Sequence, residues 1–456
     1  MTMVARKSDH AEHPAPALTG KAVIAGLGRT GLSCARFLKA SGVEFAVTDS
    51  RVSPPGLAVV QSLVPADSIR VGGFDSRLLE GAAHVIASPG ISLREPLFVE
   101  AARRGIPVLG DIELFARATK APIAAVTGTN GKSTVTTLVA LMTQATGRSA
   151  LAGGNLGPPA LELLDQPVPD CYILELSSYQ LETTSSLVTA AAAVLNVTPD
   201  HLDRYDSLAE YASAKARVFA GAKTAVINLD DAIVRAMPKA GHRVLGFSLE
   251  EAADFSLRDK ARDPVLLRFG KPLVAMSELK IAGLHNAANA LAAFALLEAM
   301  DLPLAPGIEA LKQFGGLPHR SQWVADVAGV RYVDDSKGTN VGATLAAVAG
   351  MPGSLVVIAG GQGKGQDFSP LTAAFRNKVR HAVLMGQDAK QLASALDGVC
   401  TVEFARDMDD AVMKSANAAR GGETVLLSPA CASLDMFRDY GHRGDAFATA
   451  VRRLAP

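Results

Sequence analysis

Short apolar runs that end in glycine-rich or polar loops, each followed by apolar residues at helical spacing, recur from residue 21 to the end of the 456-residue chain. A buried parallel strand reads as an unbroken apolar run and its crossover as a helix, so this alternation predicts an α/β protein with parallel sheets. Residues 21–25 and 44–48 form the first two expected strands, with a helix through Ala40 between them. Residues 123–126 start a second series, followed by a helix at 135–144 that contains no glycine or proline. The run 191–197 predicts another strand, 211–219 a helix, and the alanine-rich stretch from His285 to near Met300 a long one. Three more strands are expected at 331–333, 355–359 and 424–427, each leading into small and polar residues.

A chain of this length exceeds one hydrophobic core and should divide into about three domains. The pattern places them at 20–111, 112–316 and 317–456, after a lead-in, 1–19, that lacks an apolar core and is expected to be disordered. Lysine plus arginine equals aspartate plus glutamate, 45 of each, which gives no support to a general nucleic-acid or anionic-membrane binder. Although 48% of the residues are hydrophobic, no run approaches the roughly 20 that span a bilayer, so a soluble protein is expected. The lead-in mixes charges with prolines and does not resemble a secretory signal. Cys34, Cys171, Cys400 and Cys431 are scattered, which fits a reducing cytoplasm better than a disulfide frame or a zinc site.

The strand at 123–126 opens into Gly128-Thr129-Asn130-Gly131-Lys132-Ser133-Thr134 and then a helix. Glycines let backbone N–H groups turn toward an anion, and the helix start adds its own donors and positive dipole end. Lys132 would reach the outer phosphates and Ser133 would bind Mg²⁺. Val126 stands where the full phosphate-loop pattern has glycine, so this is a shortened variant. An ordinary glycine turn is the competing reading, and Gly-Lys-Ser between strand and helix argues against it. Earlier, Gly26-Leu27-Gly28-Arg29-Thr30-Gly31 after one strand and Asp49 after the next have the arrangement of a dinucleotide fold. They suggest a nucleotide diphosphate without specifying which.

Glu175 lies in an apolar run, where a carboxylate needs a partner, either Mg²⁺ across from Ser133 or a salt bridge. His201 follows the 191–197 strand and is either structural or, beside a phosphate cradle, a metal ligand, although Mg²⁺ prefers oxygen. Lys215, taken alone, is a surface amine. Asn286 and Asn289 share a helix face; Asn286 is placed to cap, Asn289 lies too deep for that, and both suit a purine edge. The three late loops should lie on one sheet edge, bringing Asp335, Lys337, Thr339, Lys364 and Ser433 together.

The loop 128–134, Glu175-Leu176-Ser177-Ser178-Tyr179-Gln180-Leu181-Glu182, Asn196-Val197-Thr198-Pro199-Asp200-His201, Asp335-Ser336-Lys337 with Thr339-Asn340, and Ser428-Pro429-Ala430-Cys431-Ala432-Ser433 together resemble the ATP-dependent Mur ligases of peptidoglycan synthesis. The resemblance covers nearly the whole chain, and its last two sets resemble the D-glutamate-adding branch. It implies a Rossmann-like N-terminal domain, a central P-loop-type mononucleotide-binding domain and a Rossmann-like C-terminal domain. It also implies a cytoplasmic, monomeric ligase that phosphorylates the alanyl carboxylate of UDP-N-acetylmuramoyl-L-alanine with ATP and joins D-glutamate to the acyl phosphate.

By resemblance, Arg29, Thr30, Asp49, Arg51, Gly90 and Asn155 contact the UDP substrate. Gly128 to Thr134, Asn286, Asn289, Arg320 and Asp335 contact ATP. Ser133, Glu175, His201 and Lys215 hold Mg²⁺, with two ions expected, and Lys215 becomes carbamylated. Lys132, His201 and Lys215 form the catalytic set. Lys337, Thr339, Lys364, Ser433 and Tyr440 surround D-glutamate, Tyr440 replacing the family's phenylalanine. The third domain is expected to close on the central one when ATP binds. A sister ligase adding another amino acid, a nicotinamide-dependent dehydrogenase and a phosphate-loop switch protein are the competing readings.

Overall fold

The computed structural model describes residues 18–201, 204–238, 241–260, 262–281 and 283–454. The expected lead-in lies outside the described residues up to residue 17, and Leu18 is buried in the first core. Three sheets follow one another along the chain, of five, nine and six strands. In the first, Lys21–Ala25 pairs in parallel with Phe45–Asp49 on one side and Ala82–Ala87 on the other, and its last four residues are buried. The turn after it needs glycine: Gly26 has φ +94°, and a side chain on Gly31 would strike the Gly26 carbonyl at 1.8 Å.

The second sheet is built around Ile123–Thr127, all five residues buried, between Cys171–Glu175 and Thr189–Val194 and parallel to both. Beyond Ala222–Asn228, Arg243–Ser248 and Phe255–Arg258 it continues into two antiparallel strands, Val265–Arg268 and Lys271–Ala275. The alanine-rich helix is Leu284–Ala299, buried along most of its length, and it shares a core with the helix Lys132–Ala145 that follows the glycine loop.

Among the boundaries that differ from the sequence expectation, two shift for identifiable reasons. The strand expected at 191–197 ends at Val194 because the next residues serve the glycine loop. The Asn196 carbonyl accepts the Thr129 N–H at 2.9 Å, and its side-chain oxygen accepts that of Asn130 at 2.8 Å. The helix expected at 211–219 begins at Leu208, where the Ser207 side chain caps it by accepting from Glu210 N–H, and tightens into a 3₁₀ turn at Arg217–Phe219.

In the third sheet Val330–Asp334, Thr424–Leu427 and Leu355–Gly360 are parallel neighbours, so the three polar loops leave one edge side by side. Gln322–Val327 pairs antiparallel on the outside.

Candidate active site

The glycine loop turns inward on two left-handed or extended glycines. Gly131 has φ +84° and stands at the cap of the helix Lys132–Ala145; a side chain there would meet Asn289 Oδ1 at 2.4 Å. Lys132 folds over its own loop, its Nζ donating to the carbonyls of Gly128 at 2.9 Å and Thr129 at 2.8 Å. Lys215, 1% exposed on the helix Leu208–Ala216, donates to the same Gly128 carbonyl at 2.8 Å. Its Nζ also lies 4.3 Å from the centre of the Tyr211 ring. Burial pulls both amines below the usual lysine range, Lys215 well below it, and the Lys132 charge adds to the effect on Lys215.

Glu175 is buried at the end of its strand. One oxygen accepts from Asn155 Nδ2 at 2.5 Å, and the other, Oε2, has no hydrogen-bond partner. Among the described residues no salt bridge is made to it, although the charges of Lys132 and Arg320 are near enough to interact with it. An orphaned buried carboxylate oxygen beside a phosphate loop suits a hard cation that takes one or two protein carboxylates and completes its shell with phosphate and water oxygens. Among the described residues no group of three or more His, Cys, Asp or Glu side chains is gathered for one ion. Ser133, buried, accepts through its hydroxyl from Arg320 Nη2 at 2.6 Å.

His201 has φ +57°, and its ring packs edge-on against Tyr179 with centroids 5.1 Å apart. Burial takes its pKa down to about 4, against the opposing pull of Asp200 3.7 Å away. Asn289 is buried and donates to Asn286 Oδ1 at 3.4 Å, so the two amides do meet on one face. The residue at the N-cap of this helix is Gly283, which has no side chain to cap it, and Asn286 stands three positions further on.

Arg29, Thr30, Asp49, Arg51, Gly90 and Asn155 all line one cavity of about 510 Å³ at the carboxyl edge of the first sheet, joined by Gln180. Asp49 does not present a free carboxylate to it. Its oxygens accept from Leu27 N–H at 2.7 Å and from Arg51 N–H, Nε and Nη2 at 2.8, 2.9 and 2.7 Å. It fixes the glycine turn and aims Arg51. Asn155, which bonds Glu175 by side chain and by backbone N–H, connects this cavity to the glycine loop.

The third sheet brings its loops to the same place. Asp335 is buried and accepts from Ser428 Oγ at 2.8 Å and Ser321 N–H at 3.0 Å; burial raises its pKa to about 7. Lys337 sits with Nζ 4.1 Å from the Tyr440 ring centre, and burial, then the Arg320 charge, brings it down to about 8. Thr339 N–H donates to the Lys337 carbonyl, Lys364 Nζ stands 3.9 Å from Asp200, and Ser433 is buried where its carbonyl starts a turn with Phe437. Asn340 crosses between domains, exchanging amide hydrogen bonds with Asn130 at 3.3 and 3.2 Å and donating to Asp200 at 3.1 Å.

Asn340 and Asp200 stand inside motifs quoted from the sequence, but nothing there separates them from their neighbours. Arg443 carries no sequence signal, because an arginine inside a helix reads as a solvated charge.

This combination of a phosphate loop, a nucleotide-type cavity and a cationic third edge defines a multidomain nucleotide-using α/β enzyme. The family description "Mur ligase MurD-like, N-terminal domain" matches residues 20–110, "Mur ligase middle domain" 126–297, and "Mur ligase, glutamate ligase domain" 319–431. The chain belongs to the Mur ligase family. It is 52% identical to the UDP-N-acetylmuramoylalanine--D-glutamate ligase of Nitrosococcus oceani over 96% of this chain and 98% of that one. It is 48% identical to the ligase of the same name from Methylobacillus flagellatus, over 95% and 96%. Among solved structures, the UDP-N-acetylmuramate-alanine ligase MurC of Thermotoga maritima shares the fold with a TM-score of 0.60 at 18% identity, covering 95% of this chain and all of that one. No helix among the described residues is long and apolar enough to cross a membrane.

Proposed function

We propose that this chain joins D-glutamate to UDP-N-acetylmuramoyl-L-alanine in peptidoglycan precursor synthesis, using ATP and releasing ADP and phosphate. Supporting this reading most directly is the continuity of the site: Asn155 spans from the nucleotide cavity to Glu175, which keeps one oxygen unbonded and sits opposite Val126 on the strand that leads into the Lys132 loop. A UDP-linked substrate held by Arg29, Thr30, Arg51, Gly90 and Asn155 would present its terminal carboxylate there. The division at 20–111, 112–316 and 317–456 then assigns the UDP substrate to the first domain, phosphoryl transfer to the second and amino-acid capture to the third.

Carboxylate and ATP are both anions, and the amine cannot attack a carboxylate at a useful rate until phosphorylation makes its oxygen a leaving group. Lys132 and Arg320 hold the phosphates against that repulsion, and Asn286, Asn289 and Asp335 orient the nucleotide. Ser133, Glu175 and His201 would hold Mg²⁺, which would supply further charge neutralisation. The Lys215 amine, buried and depressed in pKa, is suited to attack CO₂ and lose a proton, giving a carbamate that provides an anionic ligand for a second ion. D-Glutamate lies among Lys337, Thr339, Lys364, Ser433 and Tyr440. Its amine displaces phosphate from the acyl phosphate and its proton passes to a nearby base, a role for which the burial that keeps His201 neutral also makes that imidazole weak. Docking of the third domain keeps water from the acyl phosphate. The enzyme acts in the cytoplasm as a monomer.

The deciding experiment measures phosphate release from ATP and Mg²⁺ with UDP-N-acetylmuramoyl-L-alanine, comparing D-glutamate with L-glutamate, D-alanine and diaminopimelate, and weighs the product. Release and a new amide with D-glutamate alone are expected. Turnover with another of these amino acids would make it a sister ligase, and no release with any would sink the proposal.

A further inference from the structure

Arg443, the fourth residue of the helix Tyr440–Arg452, is 1% exposed and places its guanidinium behind all three strand-end loops of the third sheet. Nε donates to Ser336 Oγ at 3.0 Å and Nη2 to the Ser336 carbonyl at 2.8 Å. Nη1 donates to the carbonyls of Cys431 at 3.1 Å and Gly360 at 3.4 Å. Ser336 precedes Lys337, Gly360 opens the loop that carries Lys364, and Cys431 lies two residues before Ser433. The Ser336 hydroxyl also donates to the Tyr440 carbonyl at 2.7 Å, which returns the network to the helix that holds the aromatic ring.

These acceptors are neutral oxygens. A planar fork of N–H donors can reach separate loops at once, which the compact ammonium of lysine cannot do. The loops it joins are tightly apposed: a side chain on Gly361 would strike the Ala432 carbonyl at 2.1 Å, so a small shift of one loop displaces the next.

We propose that Arg443 is a positioning residue that sets the D-glutamate subsite, fixing the spacing of Lys337, Lys364, Ser433 and Tyr440 from behind. The inference rests on placing D-glutamate at these loops, as in the function proposed above. It makes Arg443 act on amino-acid capture without touching the nucleotide or the UDP substrate.

The test is steady-state kinetics on the full-length Arg443→Lys and Arg443→Met variants, with Lys337→Ala as a control and thermal unfolding of each. In Arg443→Lys the KM for D-glutamate should rise about tenfold or more, while the KM values for ATP and the UDP substrate stay within about twofold. Arg443→Met should show a larger rise in the same constant, with Arg443→Lys partly restoring it. If Lys337→Ala leaves the D-glutamate KM unchanged, the subsite assignment itself fails. If Lys337→Ala raises it and Arg443→Lys does not, Arg443 has no positioning role. A uniform shift in all three KM values, or failure of both Arg443 variants to fold, would make Arg443 a residue of general stability and overturn the proposal.

Discussion

The two joints of this molecule are built from different material. Between the first sheet and the second, the helix Asp111–Ala118 is fastened by side chains remote from the glycine loop. Glu113, fully buried, accepts from the Ser185 and Ser186 N–H groups at 2.7 and 2.9 Å and from the Ser186 hydroxyl at 2.8 Å, and pairs with Arg117. Asp111 accepts from Gln180 at 3.0 Å, and Gly110 lies so close to Thr183 that a side chain there would strike its Oγ1 at 2.2 Å. Between the second sheet and the third, the polar contacts run through the candidate site: Arg320 to Ser133, Asn340 to Asn130 and Asp200, and Lys364 to Asp200. The Glu113 cluster of the first joint can be permanent because Glu113, Arg117, Ser185 and Ser186 do not line the nucleotide cavity, although Gln180, the partner of Asp111, does. The second uses groups assigned to ATP, metal and D-glutamate, so its docking must change as those ligands enter and leave.

The contrast predicts that damage to the first joint is read in stability and damage to the second in kinetics. The largest effect is expected from Glu113→Ala, which strands the Ser185 and Ser186 donors. Urea unfolding should show a loss of about 3 kcal/mol, with activity per folded molecule retained. An equal loss of activity in the folded fraction would erase the distinction.

Asp111 sharpens the same point through pH. Burial raises its pKa to about 6, so the folded state holds this proton more tightly than the unfolded chain does. Its contribution is present below about pH 4 and is lost as pH rises through about 6. Asp335, raised to about 7, adds a loss of the same sign that is common to wild type and variant. Asp111→Asn should therefore reduce the fall in stability between about pH 4 and pH 7 by about 2 kcal/mol. Superimposable profiles would show that Asp111 does not titrate as its burial requires. The smallest effect belongs to the second joint: Arg320→Lys should raise the KM for ATP about tenfold, equivalent to about 1.4 kcal/mol, with no change in the urea midpoint. A shifted midpoint with an unchanged KM would reverse the assignment of that contact.

Contiguous features were legible in the sequence. The strand, loop and helix around Lys132 announce themselves because every residue of the cradle is a neighbour in the chain. Three polar loops in succession announced the edge of the third sheet because parallel strands deliver their carboxyl ends together. Glu113 and Arg443 were not legible, since their partners lie 73 and 107 residues away. Asp49 fits the dinucleotide pattern in the sequence, but nothing there shows that Leu27 and Arg51 occupy its oxygens. The antiparallel strands Val265–Arg268 and Lys271–Ala275 escaped notice because four or five residues carry too little alternation to stand out.

His319 and Ser321, on either side of Arg320, both have left-handed backbone, with φ of +60° and +49°. Such a pair holds one side chain in a fixed direction, and it also makes this short segment intolerant of change. A β-branched residue at 321 meets strain that glycine or asparagine avoids. In a saturation library these flanking positions should be depleted of valine, isoleucine and threonine as strongly as many positions that touch a ligand. A map of mutational tolerance would then mark residue 321 as essential for reasons of backbone conformation alone.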